Sequence, residues 1–356
     1  MRVFRSVAAL FLLLLVPALR AQTSGPVPEK PWEIRAVVIA TFEFGADTGD
    51  KPGEFQLWVE REHLDEVVPF PGGVHPLRTN KAHTVLGMIC GTTIGPAAVS
   101  MTALGLDPRF DLSHAYFLIN GIAGVDPKAG SLGSAAWARF VIGDVTRMID
   151  PRETPKDWPY GLFPISATEP NKPLGNPPAW FRSNLYPLNP GLEGWAFAMT
   201  RDLKLPDDED SAKLRALYTG DAYKEARRPP FVFEGESFAS DYFWHGNIMN
   251  QFAEDWVRQW TNGKGNFAMT DMEDSGLLEA LRRLDGMKRV DANRVLVLRT
   301  ASNYSAPPPG GTALDSLLKP HFGKIAFETA YDTGAPVLHS LVDHWANTRD
   351  QIPSVK

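Results

Sequence analysis

Cysteine is almost missing from this chain. Cys90 is the only one in 356 residues, so no disulfide can form within the chain and no cysteine-rich metal site can be built. Blocks of basic residues are also missing. The 36 Lys and Arg are outnumbered by 42 Asp and Glu, and a net charge of −6 excludes the electrostatic footprint of a nucleic-acid binder. The eight His show no His-x-x-x-His spacing for zinc. No Gly-x-Gly-x-x-Gly with a following acid occurs, no phosphate loop ending in Gly-Lys-Ser/Thr, and no Gly-x-Ser-x-Gly nucleophile turn. No cofactor and no metal are therefore expected. Long apolar runs are confined to the start, where Arg2 and Arg5 precede Val7–Val16 and the small-residue stretch Pro17–Ala21 follows. This is the order of a secretory signal, with a core too short to span a membrane comfortably. Residues 1–21 are read as a signal peptide cleaved after Ala21, 22–32 as a linker, and 33–356 as the folded part. With no cysteine after the apolar core, no lipid anchor is expected. The mature chain is expected to be soluble, periplasmic or secreted, without stable membrane insertion.

What remains has globular composition, 44% hydrophobic and 22% charged. Ile34–Ala40 reads as a buried strand running into a turn-rich loop, Thr41–Gly53. Thr84–Cys90 reads as a second strand, followed by Gly91-Thr-Thr-Ile-Gly95 and a helix from Pro96 through Leu104. Within that apolar run Cys90 reads as a small buried hydrophobe. Tyr116–Ile119 is a third buried strand, and Gly121 and Gly124 predict a turn at its carboxyl end. Open α/β sheets place ligands at such ends, although the same turn can serve packing alone. Strand, glycine turn, helix, strand is the grammar of a parallel α/β sheet.

From about 150 to 232, Pro151, Pro155, Pro159, Pro164, Pro170, Pro173, Pro177 and Pro178 interrupt any period, so this section reads as an insertion with one helix near Ser211–Tyr218. Order returns with a helix over His245–Trp260. Its Phe252, Trp256 and Trp260 lie on one face and read as core. A further helix after Asp271 reaches Leu284, a strand covers Arg294–Arg299, and Ser302-Asn303-Tyr304 follows its end. The last helix is expected over Ala335–Arg349, with Pro336 in its first turn. Polar residues collect just after these strands or at helix starts: Glu43, Gly91–Gly95, Asn120–Gly124, Met272-Glu273 and Ser302-Asn303. For Asp271, Glu273 and Asp274 the positive end of the helix dipole is a sufficient local account.

Five of these segments, in order, resemble the nucleoside phosphorylase superfamily, which cleaves the N-glycosidic bond of nucleosides. Gly91–Gly95 is similar to its first glycine turn, and Asn120-Gly-Ile-Ala-Gly124 to its Thr-Gly-Ser-Ala-Gly turn. Ala239-Ser-Asp-Tyr-Phe243 is similar to the segment that stacks an aromatic ring on the base. Thr270-Asp-Met-Glu-Asp-Ser-Gly276 resembles its Glu-Met-Glu-Ala-Ala motif, and Thr300-Ala-Ser-Asn303 its Thr-Val-Ser-Asp. More narrowly, Phe42-Glu-Phe-Gly-x-Asp-Thr-Gly-Asp50 and Ser302-Asn-Tyr304 resemble the purine nucleoside permease family, an exported branch named for nucleoside uptake. The resemblance implies a three-layer α/β/α fold with a central mixed sheet and a purine nucleoside as ligand. It also implies roles. Glu273 would accept hydrogen bonds from the ribose hydroxyls and Met272 would lie under the sugar. Phe243 would stack on the purine, and Asn303, with Ser302 beside it, would hydrogen-bond N7 and its exocyclic neighbour. Thr93 and Gly95 of the first turn would bind substrate, and Asn120 and Gly121 of the second would belong to a ribose-facing wall. Relatives assemble as dimers, trimers or hexamers, which leaves a homo-oligomer possible.

Departures from the superfamily pattern bear on the reaction. Phosphorolysis needs cations and hydroxyls around the anionic nucleophile. Residues 40–47 contain no Arg, and Ile119 and Ile122 stand where the phosphorylases place Arg and Ser. A phosphate-dependent purine nucleoside phosphorylase therefore stands only as an alternative, and three other readings follow. In one, water attacks the anomeric carbon, with Glu43 as general base and Asn303 assisting the leaving purine. In another, the protein only binds purine nucleosides for uptake or salvage. The third is an exported structural domain unrelated to nucleosides.

Overall fold

The computed structural model of this chain describes residues 27–167, 184–318 and 323–355, together with Gly25, Glu169, Lys172 and Leu174. The leader expected over 1–21, and Pro170, Pro173, Pro177 and Pro178 of the insertion, lie outside the described residues.

Among the described residues, the expected strands fall within a twelve-stranded mixed sheet. Ala36–Ala40 runs parallel between Val85–Ile89 and Tyr116–Val125. Tyr116–Val125 pairs in parallel with Val295–Tyr304 along its whole length, and its end meets Phe267–Asp271 in antiparallel register through Met269–Val125 and Thr270–Gly124. Side chains alternate between the two faces, as strand geometry dictates. On one face Val37, Ile39, Phe117, Ile119, Val295 and Val297 join a core with Ala97, Met101, Leu104, Leu277, Leu281 and Leu284 from the helices Ile94–Leu106 and Asp274–Gly286. On the other, Ala36, Val38, Tyr116, Leu118, Leu296 and Leu298 pack on Ala335, Leu338 and Leu341 of the helix Ile325–Asp343. Covering both faces is why these strands are apolar throughout rather than alternating. This is the expected α/β arrangement with a central mixed sheet. Phe252, Trp256 and Trp260 are buried, as their spacing predicts, on the helix Asn247–Trp260. Cys90 is a buried free thiol, and burial pushes its pKa up.

Several elements depart from the expectation. No turn forms at Asn120–Gly124; the strand runs on to Val125. The two glycines serve close approach instead of bending. A Cβ on Gly121 would lie 2.6 Å from Nη1 of Arg299 and 3.0 Å from Oε1 of Glu54, and one on Gly124 would lie 3.0 Å from Cγ2 of Thr270. Ser302 and Asn303 also lie inside a strand, Val295–Tyr304, whose pairing register shifts between Ala301 and Asn303. That bulge is what re-aims Asn303. The last long helix begins at Ile325, and Pro336 sits in its interior. Buried Ala335, Val337, Leu338 and Leu341 continue on both sides of the proline, and their packing outweighs a local cost of about 3 kcal/mol. In the insertion the expected helix is Glu209–Arg215, but a second one, Pro190–Thr200, was not anticipated. Asn189 starts it by accepting from Gly191 N (3.0 Å) and Leu192 N (3.3 Å), with Pro190 at the first position.

Candidate functional site

The site forms where the strand Phe267–Asp271 gives way to the helix Asp274–Gly286. Asp271 fulfils the ordinary role of an acid at a helix start. Its Oδ1 accepts from the backbone N–H groups of Glu273 (2.9 Å) and Asp274 (2.8 Å). Glu273 and Asp274 have other partners. From the middle of its apolar strand, Arg299 donates to Asp274 Oδ1 through Nη2 (2.5 Å) and Nε (3.1 Å), to Glu273 Oε2 (3.3 Å) and to the Ile122 carbonyl (3.2 Å). Glu273 Oε1 accepts from the N–H of Thr93 (3.2 Å), which starts the helix Ile94–Leu106 at a left-handed φ of 76°. That strained backbone, of the kind that collects at functional sites, aims a donor across the site.

A fourth carboxylate completes the group. Glu54, 4% exposed, accepts from Thr41 N (2.7 Å), Thr41 Oγ1 (2.5 Å) and Ile122 N (2.7 Å). Asp271, Glu273 and Asp274 thus share one buried guanidinium, and Glu54 lies within its field. Burial pushes the Glu54 pKa up, opposed by Arg299 and by the donors from Thr41 and Ile122. Burial likewise raises Glu273 to about 7 and Asp274 to about 8; Arg299 opposes both shifts and neighbouring carboxylates reinforce them. Both folded values lie above the unfolded ones, so the folded protein binds more protons than the unfolded chain. The stability these groups contribute is complete below about pH 4 and is lost as pH rises through about 7 and 8. The urea midpoint is therefore expected to fall between pH 5 and pH 8.5. A midpoint that holds or rises over that interval counts against the protonated cluster.

An inner chamber of about 170 Å³ lies against this group, bounded by Glu54, Ile122, Phe243, Met272, Glu273, Ser302 and Asn303. Two further spaces adjoin it. An outer chamber of about 250 Å³ shares Phe243 and Asn303 with it, and a cleft of about 360 Å³ shares Thr41, Phe42 and Thr92. Among the described residues, no Lys or Arg lines the inner chamber, and its ionisable lining groups are Glu54, Asp271 and Glu273.

The residues singled out from sequence distribute unevenly. Phe243, Met272, Glu273, Ser302 and Asn303 line the inner chamber together. Thr93 reaches it by its backbone donor to Glu273. Gly95 is an exposed residue of the helix that follows. Asn120 is buried and donates to the Ala330 carbonyl (3.2 Å), tying the strand to the last long helix, while Gly121 makes room for Arg299 and Glu54. Ile122 faces the chamber and Ile119 belongs to the core. Glu43 borders the adjoining cleft, and its carboxylate folds back onto backbone. Oε1 accepts from Phe44 N (2.9 Å) and Gly53 N, and Oε2 from Phe55 N (2.9 Å) and Gln56 N (2.6 Å). Those four donors occupy its four lone-pair sites and hold the loop at the start of the helix Gln56–Arg61. Glu54 and Arg299 were not singled out. Arg299 carried a signal, since a charged residue inside an otherwise apolar strand is rarely buried without partners. Among the described residues, no group of three or more His, Cys, Asp or Glu is placed to hold a metal, and no helix is long and apolar enough to cross a membrane.

Asn303 sits with its amide fixed at both ends. Oδ1 accepts from Ser302 Oγ (2.9 Å) and Nδ2 donates to the Tyr304 carbonyl (3.2 Å). One N–H and one lone pair remain for a ligand.

The fold is that of known nucleoside-cleaving enzymes. A 5'-methylthioadenosine/S-adenosylhomocysteine nucleosidase from Neisseria meningitidis superposes with a TM-score of 0.51 at 15% identity, covering 86% of this chain and 99% of that one. Futalosine hydrolase from Helicobacter pylori does so with a TM-score of 0.51 at 15% identity, covering 87% and 98%. At that identity the likeness concerns the fold. In sequence the chain is 34% identical over 275 residues to a probable purine nucleoside permease of Schizosaccharomyces pombe, covering 75% of this chain and 78% of that protein. It is 29% identical over 336 residues to the purine nucleoside permease of Candida albicans, covering 91% and 79%. The sequence pattern of the purine nucleoside permease family (NUP) matches residues 33–353. With nine-tenths of its length inside that pattern, the chain belongs to the purine nucleoside permease family.

Proposed function

We propose that this protein binds a purine nucleoside across the inner chamber and hydrolyses its N-glycosidic bond, with Glu54 as the group that activates water. The observation that carries the reading is the pair of buried carboxylates, Glu54 and Glu273, each with one acceptor site left open. Three donors occupy Glu54, leaving one lone pair on Oε1; three occupy Glu273, leaving one on its Oε1. Glu273 then receives a ribose hydroxyl, a charge-assisted bond worth about 1.5–3 kcal/mol. Phe243 covers the purine face, and Asn303 supports N7. Glu54 takes a proton from water as its oxygen bonds to the anomeric carbon. The bond from that carbon to N9 breaks, its electron pair goes to the purine, and N7 is stabilised by the Asn303 amide. Burial raises the basicity of Glu54, which suits a general base working near neutrality. Glu43, with every acceptor site filled, has no lone pair to take a proton. A phosphate dianion in the same place would meet carboxylates and Ile122, at a cost of several kcal/mol in unsatisfied charge.

The second reading is a binding module that delivers nucleosides for uptake, the process for which the permease relatives are named. One observation favours it: Asn303 has no transferable proton for the leaving base. Incubation of the purified protein with adenosine and inosine, with and without phosphate, decides between them. Free base released at equal rates in both buffers is expected. Release only with phosphate overturns hydrolysis, and binding without any release makes the protein a carrier. We further propose that residues 1–21 direct export; an amino terminus beginning at Gln22 on the protein recovered outside the cytoplasm is the expected result.

A further inference from the structure

We propose that the site takes adenine-type nucleosides carrying a single apolar substituent on the exocyclic nitrogen, with that substituent seated in the outer chamber. The inference rests on the nucleoside reading above and goes past it on two independent observations.

The first is the locked amide of Asn303. Ser302 fixes Oδ1 and the Tyr304 carbonyl fixes Nδ2, so the side chain offers one donor and one acceptor, side by side. An intact 6-aminopurine matches both: N7 accepts from Nδ2–H and the exocyclic N–H donates to Oδ1, the two-point contact that amides make with adenine. An intact 6-oxopurine has acceptors at both positions and satisfies only one. A secondary amine keeps one N–H for Oδ1 and turns its substituent away; a tertiary amine has none.

The second is the space beyond that edge. Asn303 and Phe243 line both chambers, so a base held by Asn303 carries its exocyclic nitrogen where the two spaces adjoin. That chamber, about 250 Å³, is walled by Leu132, Leu214, Leu217, Tyr218, Tyr304 and Pro308. Both phenols are engaged elsewhere, Tyr218 donating to the Ala306 carbonyl (2.6 Å) and Tyr304 to the Ala226 carbonyl (2.8 Å). Their rings, and not their hydroxyls, are therefore what they offer a ligand. Of the polar residues on the border, Asp315 is tied to Thr312 Oγ1 (2.6 Å), and burial lowers the His245 pKa, keeping its ring neutral. Among the described residues, no Lys or Arg borders this chamber. Leu214, Leu217 and Tyr218 come from the proline-bearing insertion, which thereby acquires a role as one wall of the site.

The test compares adenosine, N6-benzyladenosine and N6-benzyl-N6-methyladenosine on the purified protein, read as Kd where the nucleoside survives and as kcat/KM where it is cleaved. N6-benzyladenosine is expected to exceed adenosine by about tenfold or more, given the value of burying apolar carbons. The doubly substituted compound is expected to fall back at least tenfold from that level. In Leu214→Trp, where the indole occupies the chamber, the preference for the benzyl compound is expected to disappear. Adenosine equal to or better than N6-benzyladenosine overturns the substituent chamber and leaves the nucleoside reading standing. Failure of all three compounds to bind overturns both. A tertiary amine as good as the secondary one overturns the role of Asn303, and a preference that survives in Leu214→Trp overturns the placement.

Discussion

In Glu54→Gln, nucleoside turnover is expected to fall by about 10²–10⁴-fold, the usual contribution of a positioned general base, with a much smaller change in KM. Glutamine occupies the same volume but cannot take a proton. Its amide nitrogen also sets a donor against Thr41 or Ile122, each of which donates to Glu54 in the native protein. Stability is therefore expected to drop by about 1–3 kcal/mol, so turnover must be measured well below the unfolding transition. Glu43→Gln separates the two carboxylates. Glu43 holds backbone donors at a helix start, and its loss is expected in the urea midpoint far more than in kcat. If Glu43→Gln abolished turnover and Glu54→Gln left it within threefold, Glu43 and not Glu54 would be the base.

Arg299→Met is expected to destabilise the fold by about 3–5 kcal/mol, the range for removing one partner of a buried ion pair. Methionine fills much of the guanidinium stem, so the loss is chiefly electrostatic. Asp271, Glu273 and Asp274 would be left with no cation, and all three are at most 5% exposed. The sign of its pH dependence follows from the same groups. Protonated carboxyls need no counter-charge, so the loss is expected to be largest near pH 8.5 and to shrink toward pH 5, opposite in trend to an exposed pair. Parallel urea titrations of the two proteins at these pH values measure it. A difference below 1 kcal/mol at pH 8.5 would falsify the view that Arg299 holds the cluster together.

These results depend on residues that local sequence reading treated unequally. Apolar strands were legible because burial on both faces demands continuous Val, Ile, Leu and Phe, as in Ala36–Ala40 and Val295–Leu298. The aromatic stripe of Phe252, Trp256 and Trp260 was legible for the same reason. Boundaries were less so. Gly121 and Gly124 suggested a turn because glycine bends easily, yet they sit in a strand because Arg299, Glu54 and Thr270 come from far along the chain to occupy their Cβ positions. Pro336 suggested a helix start, and packing on both sides of it carried the helix through.

Sequence alone determined that this chain forms a buried α/β sheet, that Phe243, Met272, Glu273, Ser302 and Asn303 belong to one family pattern, and that no cationic cradle for phosphate follows the first strand. Periodicity, composition and motif order carry that information because each is local, or a sum of local terms. Only the tertiary structure decided which of two glutamates, eleven positions apart, faces the chamber. Glu43 and Glu54 differ by the path of the loop between them, which returns Glu54 to Thr41 and Ile122 and turns Glu43 onto the backbone. It also decided that Arg299 balances the carboxylates. A buried charge takes its meaning from partners distant in sequence, and distance in sequence is what folding removes.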